Sequence, residues 1–314
     1  MLAPLTFARL PTPVQRLPRL SEAWGIDLWC KRDDLTGAAL SGNKVRKLDW
    51  LAADAVAKGA DVLVTTGGAQ SNHARAAAVV ARRLGMEPCL LLRGPQPADL
   101  DGNLLLDRLL GATVRFYDAG IGRAERDGLL EGWVEALRAS GRRPYLIPEG
   151  GSNGLGVRAF QAAAQELASQ ADPFDHVVVA VGSGGTVAGL ASGGLPGMVQ
   201  GVAVCDDRAT FEAIAQRIGA EAAALGGAPL PPPGSGWQIV EGYQGPAYAV
   251  ATPEVWATIR EAAALEGLIC DPVYTGKALH ALRCEALAGR WLGRVLFWHT
   301  GGIFGLFGRG GEIG

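Results

Sequence analysis

The sequence predicts an α/β protein made of two open parallel-sheet domains with crossover helices, and three observations lead there. Strand-like and helix-like segments alternate along most of the chain, the pattern of parallel strands joined by crossover helices. The run His176-Val177-Val178-Val179-Ala180-Val181 shows no polar alternation, as a strand covered on both faces requires. The alternation restarts after the loop Pro148-Glu149-Gly150-Gly151-Ser152-Asn153-Gly154, and 314 residues that are 48% hydrophobic can bury two cores. A domain junction is therefore expected near that loop.

Taken in order, the prolines between Pro11 and Arg19 indicate an extended arm, and residues 26–31 read as a short strand before the polar loop 32–37. In Leu40-Ser41-Gly42-Asn43-Lys44-Val45-Arg46-Lys47-Leu48 a polar turn hands over to a helix. Asn43 is a suitable N-cap, and Leu48, Leu51, Ala52 and Val56 follow at helical spacing. Strands 61–66, 87–92 and 113–117 then alternate with helices 71–84 and 103–110, and a helix over 124–139 precedes Pro144-Tyr145-Leu146-Ile147. The second half offers helix 156–169, strand 176–181, a helix beginning near Val187, strand 200–204 and helix 210–218. Prolines 231–233 mark a surface connection. Helix 253–266 is punctuated by Thr252 and Gly267; helix 277–288 and strand 294–298 follow. Residues 301–314 are too rich in glycine to continue a core.

Composition narrows the function. A formal charge of -2 and a pI near 6.1 give no long-range attraction to nucleic acid or anionic lipid. Cys30, Cys89, Cys205, Cys270 and Cys284 are odd in number and lack any C-x-x-C pair, which fits neither a disulfide framework nor a structural zinc site. They read as reduced core residues. No basic start precedes an apolar run, and no run approaches the roughly 18 apolar residues of a spanning helix. The expectation is a cytoplasmic protein acting on a small molecule, with no metal, no nucleic acid and no membrane.

Lys44 draws attention because a cation in the first helical turn opposes the macrodipole, at a cost of a few tenths to about 1 kcal/mol. That field lowers the amine's pKa, as a Schiff-base lysine needs. On this stretch alone, a solvated basic face of Lys44, Arg46 and Lys47 is the simpler account. Gly182-Ser183-Gly184-Gly185-Thr186 follows the buried strand and opens a helix, so backbone N–H groups converge there as an anion site. A dinucleotide fingerprint would need glycine at Val187, and Gly189 comes two residues late; a plain strand-to-helix turn remains the bland alternative. Gln70-Ser71-Asn72-His73 occupies a second such turn, where capping alone accounts for Ser71 and Asn72. The four histidines show no ligand spacing and read as structural. Tyr248 and Tyr274 lie in loops rich in glycine or proline, where packing is usual and a hydroxyl aimed into a cleft is the functional alternative.

Together with Lys31-Arg32-Asp33-Asp34, Asp271-Pro272-Val273-Tyr274-Thr275-Gly276-Lys277 and His299-Thr300-Gly301-Gly302, these motifs form six ordered matches over nearly the whole chain. They resemble the D-cysteine desulfhydrase and 1-aminocyclopropane-1-carboxylate deaminase family of pyridoxal-phosphate enzymes, which has the tryptophan-synthase-β-like fold (fold type II). The resemblance implies a larger cofactor domain of residues 1–47 and 157–314, a smaller one of 48–156, and a homodimer. Eight tryptophans point the same way, since Trp24, Trp50 and Trp133 fall outside the expected core strands. It further implies pyridoxal 5'-phosphate held as a Schiff base on Lys44, with Lys47, Asn72 at the phenolic oxygen, and Gly182, Ser183, Gly184, Gly185 and Thr186 at the phosphate. Ser71 would meet the substrate carboxylate or move protons, and Tyr248 and Tyr274 would be the active-site tyrosines.

Within that family the deaminase branch has glutamate after the second tyrosine and leucine after the C-terminal histidine, where this chain has Thr275 and Thr300. Hydroxyls at the pyridine nitrogen give a weaker electron sink than a carboxylate, which suits loss of a β-thiolate better than opening a cyclopropane. The expected reaction is α,β-elimination on a small amino acid, D-cysteine first, giving pyruvate, ammonia and hydrogen sulfide. The alternatives are 1-aminocyclopropane-1-carboxylate deamination, elimination or replacement on another β-substituted amino acid, and a non-catalytic ligand-binding protein.

Overall fold

One parallel sheet and one larger sheet that is parallel but for its first strand carry the chain, described by a computed structural model over residues 3–98 and 100–312. The outermost ends of the larger expected domain, 1–2 and 313–314, lie outside the described residues.

The expected arm is more ordered than its prolines suggest. Strand β1 (Val14–Arg16) pairs antiparallel with β2 (Asp27–Arg32), Val14 opposite Lys31. Helix α1 (Pro18–Trp24) starts on Pro18, whose fixed φ suits a first helical turn, and stops at Gly25 in the left-handed conformation. Helix α2 (Lys44–Ala57) begins on Lys44 as expected, but Asn43 makes no side-chain cap.

The smaller sheet is built from β3 (Val62–Gly68), β4 (Glu87–Arg93), β5 (Thr113–Tyr117) and β6 (Pro144–Leu146) in the order β5-β4-β3-β6, every pair parallel. Its crossover helices are α3 (Asn72–Arg83), α4 (Gly102–Leu109) and α5 (Arg123–Ala139). Helix α6 (Gly154–Gln170) then leads to β7 (His176–Val181), α7 (Gly185–Ser192), β8 (Met198–Ala203) and α8 (Arg208–Ala224). Strand β9 (Trp237–Val240) lies just beyond the prolines and was not expected. Helices α9 (Pro253–Glu266) and α10 (Thr275–Leu287), strand β10 (Arg294–His299) and a short α11 (Ile303–Phe307) complete the chain. The larger sheet runs β1-β2-β10-β7-β8-β9. Central β7 is buried on both faces, as its unbroken apolar run implied.

One buried ionic cluster ties the start of α2 to the larger sheet. Arg46 donates to both Asp33 oxygens at 2.9 and 2.8 Å and to both Glu166 oxygens at 2.9 Å. Lys31 reaches Glu166 at 2.5 Å and the Thr12 carbonyl at 2.8 Å, and the Trp298 indole N–H donates to Asp33 at 2.9 Å. Arg46 and Lys47 are thus buried, not part of a solvated face. Trp24 and Trp133 are buried too, and Trp50 packs under Arg158, so the tryptophans do not mark an exposed interface. The large exposed apolar groups include Leu109 on α4 and Phe307 on α11, 80% and 69% exposed. The five cysteines are free thiols, three of them buried. No helix among the described residues is long and apolar enough to cross a membrane.

Desolvation pushes the Glu166 carboxyl up, but hydrogen bonds and charge from Arg46 and Lys31 outweigh it and hold it at about 2. A depressed carboxyl stabilises the fold above its unfolded value and loses that contribution as pH falls through the folded one. Glu166→Gln should therefore destabilise the protein by about 3 kcal/mol at pH 7, because two cations are left facing Asp33. It should also shrink by about 2 kcal/mol, after screening is allowed for, the stability that wild type loses between pH 5 and 2. Urea denaturation across that range checks both; equal acid sensitivity in the two proteins would contradict the assignment.

Candidate active site

A cleft of about 780 Å³, its open mouth included, runs between the two sheets along the C-terminal ends of β3, β7 and β10, which supply Gly67 and Gly68, Ala180 to Gly182, and Thr300. Open parallel sheets place ligands at such ends because loops and helix N-termini gather there. Lys44 reaches the cleft from the first turn of α2; Ser71 and Asn72 come from the β3–α3 turn, Ser183, Gly184 and Thr186 from the β7–α7 turn, and Tyr248 and Tyr274, from the segments before α9 and α10, lie beside Gly68 and Gly182.

Lys44 is lowered to about 8. Burial is the main cause, while the charges of Asp271 and Glu149 oppose it, so desolvation outranks the helix field on which the sequence argument rested. Its ammonium donates to Asn43 Oδ1 at 3.2 Å, and Asn43 Nδ2 donates to Thr186 Oγ1 at 3.0 Å. The residue expected to cap α2 links the lysine to the glycine loop instead. Lys47 does not line the cleft but lies directly behind it, donating to the Gly150 carbonyl at 3.1 Å and to Ser152 Oγ at 3.0 Å. Burial and the charge of Lys44 push it well below the usual lysine value. Ser152 in turn meets Ser183 Oγ at 2.9 Å and accepts from Gly185 N–H at 3.3 Å.

The glycines of that loop are required by space. Gly184 has φ +81°, and a Cβ there would lie 2.9 Å from Ile214; at Gly185 one would lie 2.7 Å from Lys47 Nζ. Ser71 caps α3, its Oγ accepting from Ala74 N–H at 3.1 Å, which leaves its own proton for a ligand. The Tyr248 and Tyr274 hydroxyls are 2.7 Å apart; burial keeps both phenols protonated well into alkaline pH. Thr300 lines the cleft, but Thr275 does not. The Thr275 hydroxyl donates to Asp271 Oδ2 at 2.6 Å and accepts from Asp271 N–H at 2.8 Å, so its single proton is committed away from the cleft.

Three contributors escaped the sequence reading. Ser152 sits in a loop that carried no motif. Asn103 donates to Asn72 Oδ1 at 3.0 Å from α4, 31 residues away. His73, read as a satisfied structural histidine, is satisfied only on one side: Nε2 is 2.9 Å from Thr65 Oγ1. That hydroxyl gives its proton to the Ile147 carbonyl, so Nε2 must donate, and Nδ1 is left as a buried acceptor without a partner among the described residues. His299, by contrast, has both nitrogens engaged, with the Ile269 carbonyl and Gly301 N–H.

Comparison with known proteins agrees with this geometry. Residues 5–301 match the model of the family described as pyridoxal-phosphate dependent enzyme. A Thermotoga maritima protein whose name provisionally assigns 1-aminocyclopropane-1-carboxylate deaminase activity is 43% identical, over 95% of each chain. The D-cysteine desulfhydrase of Salmonella typhimurium is 37% identical, over 96% of this chain and 95% of its own. A crystal structure of an ACC deaminase homologue superposes with a TM-score of 0.91 at 38% identity, over 99% of this chain and 95% of its own. The chain belongs to the pyridoxal-phosphate dependent enzyme family, and its fold is the expected tryptophan-synthase-β-like one.

The residues present fit that cofactor. Half-buried Lys44 and buried Lys47 have no carboxylate in ion-pair distance among the described residues, unlike Arg46 and Lys31. Burial of unpaired positive charge is costly unless an anion completes it, and the glycine loop beside them is cleared to backbone for a phosphate. Attack on the cofactor aldehyde requires the neutral amine. Capture of pyridoxal 5'-phosphate by the apo-protein should therefore slow about tenfold per pH unit below about 8. Stopped-flow absorbance measures this; a capture rate flat down to pH 6 would contradict a lysine titrating near 8.

Proposed function

We propose that the protein is a lyase that carries out α,β-elimination on a small β-substituted amino acid, D-cysteine before others, releasing pyruvate, ammonia and hydrogen sulfide. The observation that carries this reading is that Thr300 lines the cleft with a hydroxyl, while Asp271 is consumed by the N–H groups of Val273, Tyr274 and Thr275 and by the Thr275 hydroxyl. Among the described residues that line the cleft the one carboxylate is Glu149, which is paired with Arg126 at 2.6 Å, so the lining offers a hydroxyl rather than an unpaired carboxylate to a ring nitrogen. Bound pyridoxal 5'-phosphate supplies an electron sink for the carbanion left by loss of the α-proton.

The chain's own groups divide the remaining work. Lys44, titrating near 8, can hold the cofactor and, once released, take the α-proton and carry it. Lys47, through Ser152, and the backbone of Gly182, Ser183, Gly184, Gly185 and Thr186 receive the phosphate. The Ser71 hydroxyl at the start of α3 receives the substrate carboxylate, and the Asn72 amide meets the phenolic oxygen. Tyr248 and Tyr274 share one hydroxyl contact, so the pair keeps a second proton to offer to a departing sulfur. The two sheets with their helices, 1–47 with 157–314 and 48–156, serve as the cofactor domain and the closing domain. The working form is a cytoplasmic homodimer; exposed Leu109 and Phe307 support an apolar interface.

A second reading, ring opening of 1-aminocyclopropane-1-carboxylate, is favoured by the link from Thr275 to Asp271, which stations a carboxylate one hydrogen bond behind the threonine. An assay of sulfide, ammonia and keto acid over D- and L-cysteine, other β-substituted amino acids and 1-aminocyclopropane-1-carboxylate separates the two. D-cysteine should give the highest kcat/KM, and Lys44→Ala should lose more than about a thousandfold of it while melting like wild type. Faster 2-oxobutyrate release from the cyclopropane than sulfide release from D-cysteine would establish the second reading instead.

A further inference from the structure

The amide of Asn72 can face the cleft in two ways, donor or acceptor first, and only one suits a phenolate oxygen. Its orientation is decided elsewhere. Arg75 Nε, which can only donate, lies 3.0 Å from Asn103 Oδ1. At the other end of the same amide, Asn103 Nδ2 lies 3.1 Å from the Gln70 carbonyl, which can only accept. Two obligatory partners thus fix Asn103 without ambiguity. The same Nδ2 lies 3.0 Å from Asn72, so the Asn72 atom that meets it must be Oδ1. Asn72 lines the cleft, and its Nδ2 is the end left for a ligand.

We propose that Arg75 and Asn103 are positioning residues that set the polarity of the Asn72 amide, presenting an N–H donor and never a carbonyl to the cofactor's phenolic oxygen. The inference rests on the proposed placement of Asn72 at that oxygen. Arg75 is fully buried and held rigidly: its other nitrogens donate to the carbonyls of Ala39 and of Ser41, the latter at 2.9 Å, and Phe304 covers its guanidinium at 4.7 Å. Those two carbonyls belong to the turn that carries Lys44, so one guanidinium sets both the lysine turn and, through Asn103, the amide opposite. Asn103 is held independently, its backbone N–H donating to Gln70 Oε1 at 2.8 Å.

Asn103→Asp reverses the relay almost without changing shape. Arg75 keeps the new carboxylate ionised and bonded on one oxygen; the other oxygen, in place of Nδ2, loses the Gln70 carbonyl as a partner and can only accept from Asn72. Asn72 must then turn its Nδ2 toward residue 103 and its carbonyl toward the cleft. A donor to the phenolate lowers the pH midpoint of the holoenzyme's visible absorbance, and a carbonyl there raises it. The midpoint should rise by about one pH unit in Asn103→Asp, at least as far as in Asn72→Ala, and by less in Asn103→Ser, whose short hydroxyl leaves both amide orientations open. Helical circular dichroism and apo-protein melting serve as fold controls, and Asn103→Ser carries the test should the aspartate variant not fold. A wild-type midpoint in both Asn103 variants, with Asn72→Ala shifted, overturns the relay while leaving Asn72 at the oxygen. A wild-type midpoint in Asn72→Ala overturns the placement of Asn72, and the relay with it.

Discussion

The balance of buried charge around the start of α2 governs this structure. Four residues along one helical turn, from Lys44 to Lys47, bring three cations into the interior, and they are treated in opposite ways. Arg46 faces the larger sheet, where Asp33 and Glu166 neutralise it and Lys31 together. Lys44 lines the cleft and Lys47 lies directly behind it, both with only neutral or distant partners. A buried pair that is fully hydrogen-bonded adds little net stability but is costly to break. Its consequence is positional: with Arg46 held on Asp33, Lys44 is kept in the cleft and Lys47 directly behind it.

Much of this was legible in the sequence, for identifiable reasons. Sheet order and crossovers follow from apolar periodicity and β-branched runs, which are local properties, so β3, β4, β5, β7 and β10 fall within a residue or two of expectation. The lysine turn and both cleft turns were found through spacing of glycine, serine and asparagine. What failed was judged from one neighbourhood when two were needed. Strand β1 is held by pairing with β2, and β9 by pairing with β8, and neither has a strong pattern of its own. Trp24 and Trp133 lie outside strands yet fill cores under helices. Thr275 follows Tyr274 in a motif that suggested a ring contact, but it opens α10, where Asp271 claims its hydroxyl as part of the cap.

The unread contributors share a geometric cause. Ser152 stands 105 residues from Lys47 and Asn103 31 residues from Asn72; no spacing rule reaches that far. A single polar residue in a loop or at a helix start has an adequate local explanation, a turn or a cap, and the long-range hydrogen bond leaves no trace in composition. His73 is the converse case. Its position at a helix start explains its presence, while the unpartnered Nδ1 on the cleft wall appears only when the Thr65 proton is followed to Ile147.

The two lysines also sit in different electrostatic surroundings. Asp271 and Glu149 offset the desolvation of Lys44, so it stays near 8 and exchanges its proton close to neutral pH. Lys47 has no such offset; burial and the charge of Lys44 depress it further, and its bonds to Gly150 and Ser152 serve a neutral amine as well as an ammonium. An anion at the glycine loop would act against both causes and raise Lys47 again. Of the two, Lys44 is the lysine with carboxylates in range and a value near neutral pH, while Lys47 is held on Gly150 and Ser152 by hydrogen bonds that need no charge.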